Sequence, residues 1–202
     1  MRKEEFVEDS TVGFLVERTR ADFLEARFIE RFERTETNLN PFGETQEFRR
    51  VEYEHTHFRL SVDAPQLEFH DCPRSVSPAI NSLTAIIGPD SVVKPLEVDV
   101  ARWLIALGKS VSDIRVTAAH IAQLSLSETV NAKIVVKGTE DVRRFAKEMV
   151  GARAYKFERL DVSGAYQGFP VRFHLREGAR ATLNSGEEDL IEVLRDSLLE
   201  CL

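Results

Sequence analysis

The chain is poor in the residues and motifs that announce chemistry. It has two cysteines in 202 residues, Cys72 and Cys201, which is too few for a disulfide framework and suits a reducing compartment. No stretch approaches the roughly 18 apolar residues of a membrane helix. The opening MRKEEFVEDS lacks the apolar core of a secretory signal. The expectation is therefore a cytoplasmic protein with no membrane partner. There is no G-x-G-x-x-G and no G-x-x-x-x-G-K-[ST], so a dinucleotide fold or a phosphate loop is not indicated. No G-x-S-x-G, H-E-x-x-H or paired C-x-x-C occurs either, and the sequence calls for no cofactor. One Trp and three Tyr stand against thirteen Phe, a balance that favours core building over wet recognition surfaces.

What is present is a globular composition. Hydrophobic residues make up 43% and charged residues 30% of the chain, with a formal net charge of −7. That is enough apolar material for one ordinary domain or two small ones. An acidic chain of this kind needs a local basic patch before it can hold nucleic acid.

The C-terminal half carries the clearest pattern. Ile114, Val116, Ala118, Ala122, Leu124 and Leu126 fall on even positions, which reads as a strand with one face on a core. His120 interrupts that face and is expected to be a satisfied core imidazole. A polar turn at 127–129 leads to Val130, Ala132, Ile134 and Val136, making a hairpin. Thr139 is placed as the N-cap of a helix with Val142, Phe145, Ala146 and Met149 as its stripe, ending at Gly151. Strands follow at about 154–163, 168–176 and 179–183. Ser185 and Glu188 form a capping-box pattern before a closing helix. The order is β-β-α-β-β-(β)-α.

Upstream, Ser77-Pro78 reads as a helix cap with proline in the first turn, and Val100, Trp103, Leu104 and Leu107 form a second stripe ending at Gly108. Strands are predicted at about 48–62 and 66–72, with a bulge near His57 to explain why Val51 and Tyr53 lie out of phase with Phe58 and Leu60. Residues 36–45 read as a loop. Over 14–34, Leu24, Phe28 and Phe32 suit both helix and strand spacing, and a helix is preferred. The fold class is α+β, a mainly antiparallel sheet with helices packed on it. It is arranged as a single domain over 1–202 or as two abutting subdomains, 1–90 and 96–202, with a boundary loop near 88–95.

Three functional classes follow. The missing catalytic motifs and long strands favour a non-catalytic protein-interaction module, partnered by another protein or by itself. The second is a small metal-assisted enzyme. His55 and His57 share a strand face, and His70 and Asp71 stand at the end of the next strand, so the four could converge on one ion. The third is a nucleic-acid-associated factor. Arg20, Arg27, Arg31 and Arg34 would line one face of a helix, though Glu17, Asp22, Glu25, Glu30 and Glu33 surround them. A smaller basic set, Arg172, Arg176 and Arg180, lies on the late strands.

Overall fold

The computed structural model describes residues 5–8, 10–63, 65–88, 90–183 and 188–202. The fold is α+β, and the described residues form four helices and two antiparallel sheets, one of four strands and one of five. The chain divides into two compact units, Met1–Lys94 and Pro95–Leu202.

The first unit contains β1 (Val12–Thr19), β2 (Phe23–Leu39), β3 (Thr45–Ser61), β4 (Leu67–His70) and α1 (Ser77–Ile87), with the strands adjacent in chain order. Residues 14–34 are thus strands, not the expected helix. A spacing of four residues satisfies a period of two as well as one of 3.6, so Leu24 and Phe28 could not discriminate between them. The intervening Ala26 decides the matter, because it is buried with Phe28 among Phe14, Phe58, Ala79 and Leu83. β2 and β3 pair without interruption from Phe23↔Ser61 to Leu39↔Thr45. The expected loop at 36–45 therefore shrinks to residues 40–44, and the bulge near His57 does not exist. The loop is closed by the Asn40 side-chain carbonyl, which accepts from the Phe42 and Glu44 amides, with Gly43 at φ 84°. This is the conformation glycine adopts most easily. The helix at 77–87 takes Pro78 in its first turn as expected, but Ser77 lies within it and Val76 occupies the cap position without a side-chain bond.

The second unit contains α2 (Val100–Leu107), β5 (Ser112–Ser125), β6 (Asn131–Lys137), α3 (Arg143–Val150), β7 (Lys156–Tyr166), β8 (Phe169–Arg176), β9 (Arg180–Leu183) and α4 (Glu188–Leu199). From β5 onward this is the expected β-β-α-β-β-(β)-α, with sheet order β6-β5-β7-β8-β9. α3 starts later than expected. Thr139 is outside it, Val142 stands at the cap, and Asp141 rather than Thr139 accepts from the Arg143 amide. Asp99, which the sequence reading passed over, caps α2 by accepting from the amides of Ala101 and Arg102. The Ser185–Glu188 capping pattern lies outside the described side chains.

One buried cluster joins these helices to the inner face of the sheet: Trp103, Leu104 and Leu107 from α2, Ala146 and Val150 from α3, Leu190, Leu194 and Leu198 from α4, and Val116, Leu160 and Phe173 from the strands. The Trp103 indole N–H donates to the Leu194 carbonyl at 3.1 Å and to the Ser197 hydroxyl at 3.0 Å, tying α2 to α4. A side chain at Gly164 would stand 2.8 Å from Val111 Cγ1 and 2.9 Å from the Ser112 carbonyl oxygen, so the chain entering β5 needs glycine there. Trp103→Phe should lower stability by about 2 kcal/mol, from a lost buried hydrogen bond and a partly empty site. Gly164→Ala should also destabilise, although alanine in an unstrained strand site is ordinarily neutral or better. Urea unfolding monitored by circular dichroism measures both.

Candidate functional site

The first sheet has one face on its core. The other carries the odd positions of β2 and β3, with Ile29 buried among them, and charges are laid across it in contact. Glu17 sits where the β1–β2 register slips between Val16 and Arg18. Its carboxylate reaches Arg27 Nε at 2.6 Å and His57 Nδ1 at 3.9 Å. The Arg59 guanidinium lies 3.8 Å from the centre of the Phe23 ring and Arg18 lies 5.4 Å from it, a cation–π arrangement. Glu25 pairs with both arginines at 3.8–3.9 Å.

The four metal-donor candidates fall unevenly on this face. The β3–β4 register sets His57 directly opposite His70, and His70 Nε2 is 3.9 Å from Glu68. His55 lies two residues along β3, opposite Ile29. Asp71 stands just beyond β4 at φ 45°. Among the described residues, no group of three or more His, Cys, Asp or Glu is placed to hold a metal ion.

The arginine stripe does not form. On a strand, Arg27 and Arg31 face one way and Arg34 the other, while Arg20 lies in the β1–β2 turn, its amide bonded to the Phe23 carbonyl. Arg27 pairs with Glu17, Arg31 with Glu33 at 2.9 Å, and Arg34 with Glu52 at 3.5 Å. A helical face was needed to align all four, and the strand scatters them.

The same register produces a feature the sequence reading missed. β1 accompanies β2 only as far as Glu30, and β4 accompanies β3 only from His57 onward. Beyond these points β2 and β3 continue as a two-stranded ribbon, roughly 30 Å long at about 3.3 Å per residue. Its apolar side chains stand in solvent: Phe42 at the tip is 89% exposed, Leu39 71%, Phe48 51% and Val51 42%. The signal was the phase change between Val51 and Phe58. It marks apolar residues on opposite faces of a ribbon with no core behind it, not a bulge. Near the base, Tyr53 meets Phe6 edge to face at 6.1 Å. There Glu30 and Glu54 are direct cross-strand partners, and burial together with the Glu54 charge raises the Glu30 pKa.

The second sheet has an open face, opposite its helices. His120 lies on it, which corrects the expectation of a core imidazole. Register slips in β5 at Val116/Ala118 and Ile121/Leu124 place Val116, Ala119, Ile121 and Leu124 in the core and turn His120 outward, opposite Arg159 and Val135. Asp161 is held by Arg159 and by His174 Nδ1 at 3.0 Å, so His174 is part of a network on that face. Burial lowers the His120 pKa. Asp161 and Glu158 oppose that shift, and Arg159 and Lys137 reinforce it.

No protein-family model matches this chain, and no curated protein matches it.

An unfolded histidine takes up a proton near pH ~6.5, whereas folded His120 resists protonation. Its contribution to stability is therefore present above that pH and lost as pH falls toward the lowered folded value. Compared with wild type, His120→Gln should show a flatter loss of stability between about pH 7 and 5, measured by urea unfolding at a series of pH values. An unchanged pH slope would contradict the lowered pKa.

Proposed function

We propose that the chain is a non-catalytic protein-interaction module whose contact element is the β2–β3 ribbon, and that the occupant is a second copy of the same chain. The observation that carries this reading is the ribbon's exposed apolar set, Leu39, Phe42, Phe48 and Val51. A lone two-stranded ribbon is marginal in water, and aromatic side chains held clear of any core are the kind that anchor interfaces. Among the described residues both ribbon edges lack strand neighbours beyond Arg31 and before His57, which leaves backbone groups open to strand addition.

Charge favours self-association through this element. Residues 31–53 hold four arginines and five glutamates, whereas the whole chain carries −7. The ribbon is thus nearly neutral on a molecule whose overall field would repel its copies. Its charges are also locally matched, with Arg50 3.3 Å from Glu36 and 3.2 Å from Glu52.

Sedimentation velocity across a concentration series tests the reading. Wild type should show a reversible dimer. The Phe42→Ser/Phe48→Ser variant, which alters exposed side chains only, should keep its secondary structure and dissociate at least about tenfold more readily, since one interface anchor is worth more than ~1 kcal/mol. A wild-type monomer at every concentration overturns the proposal.

A further inference from the structure

The open face of the second sheet carries a row of like charge that the fold neutralises only in part, at Arg159. Arg159 is the direct cross-strand partner of Arg176, and Arg176 of Arg180. Three guanidinium side chains therefore stand side by side across β7, β8 and β9, two strand spacings or about 10 Å from first to last. Arg172 shares the face two rows away, opposite Ser163 and beyond the His174–Asp161 row. Like charges placed directly opposite each other destabilise a sheet.

Compensation is partial and local. Asp161 is engaged by Arg159 and His174, Glu158 is bound by Lys133, and Glu177 in the β8–β9 turn pairs with Lys156 at 3.2 Å. Arg172, Arg176 and Arg180 make no ion pair among the described residues, and all three are exposed. Across the sheet, Lys137 stands beside Ala118 on the β6 edge. Most arginines of the first sheet behave differently: Arg18, Arg27, Arg31, Arg34, Arg50 and Arg59 each have a carboxylate within 4 Å, and Arg49 in β3 is the exception among the described residues.

We infer that this face is a binding surface for the phosphate backbone of a nucleic-acid duplex. Three features favour that occupant. Three exposed arginines without an ion pair among the described residues, Arg172, Arg176 and Arg180, share one side of a single sheet, although the whole chain is acidic. The arginines are close enough to engage neighbouring phosphates along a strand, and guanidinium groups match phosphate geometry. The rows that present them, Arg180–Arg176–Arg159–His120–Val135 and Thr182–His174–Asp161–Ala118–Lys137, contain no Phe, Tyr or Trp on which unpaired bases would stack. Contact through backbone charge, without base readout, is what such a surface offers. This inference concerns the second unit and does not rest on the ribbon.

Fluorescence anisotropy with a labelled 20-base-pair DNA duplex of arbitrary sequence tests it. The full chain should bind at low salt. With three to four phosphate contacts, affinity should fall about 40- to 150-fold between 50 and 200 mM salt. The triple variant Arg172→Gln/Arg176→Gln/Arg180→Gln should lose that binding. Arg144→Glu, on α3 and paired with Glu148, should leave it intact. The triple variant should also melt higher than wild type at low salt, because it relieves the like-charge row. Loss of binding with a raised melting temperature separates a functional row from a variant that fails to fold. Three results would overturn the inference: no binding at 50 mM salt, equal binding by the triple variant, or equal affinity for poly-glutamate at matched charge.

Discussion

The side chains of a strand alternate faces with a period of two, and every surface described above depends on where that alternation is kept and where it is reset. β5 shows the resetting. A slip at Val116/Ala118 moves the inward set from even to odd positions, and a second slip at Ile121/Leu124, with Gln123 at φ 51°, moves it back. The first slip thereby turns His120 out of the core and aligns it with Arg159 and Arg176 on the open face.

β2 and β3 show the opposite case. Their pairing runs through seventeen positions with no slip, so the alternation set by Ala26, Phe28 and Phe58 in the core persists into a region with no core. There the same rule puts Phe48 on one face and Val51 on the other, both in solvent. The exposure of the ribbon is thus a direct consequence of strand length. β2 and β3 outrun β1 and β4, and apolar side chains that would be interior in a wider sheet stand in solvent.

Much of the second unit was legible because its punctuation is local. Gly108 and Gly151 end helices, short polar links join the hairpins, and Phe169 to Leu175 alternate cleanly. These signals need no tertiary information. The first unit was harder, because Leu24, Phe28 and Phe32 fit two periods and only their neighbours in space select between them. The placement of His120 and of the arginines failed for a related reason. Bulges and cross-strand partners arise from pairing between distant segments, and Arg159, Arg176 and Arg180 become neighbours only through the β7–β8 and β8–β9 registers. The His57–His70 pair was half legible: their strands were foreseen, and the register brings those two together without gathering the wider donor set.

The two proposals assign separate work to two surfaces, a ribbon that meets another copy and a sheet face that meets the phosphate backbone of a nucleic-acid duplex. The central claim is that the ribbon is ordered by contact and not by its own two strands. Amide hydrogen exchange over residues 32–39 and 45–52, followed as protein concentration is raised, tests this most directly. The account predicts fast exchange in dilute protein and protection that grows with concentration, while the amides of β5 and β7 stay unchanged. Protection of the ribbon that is independent of concentration would contradict it.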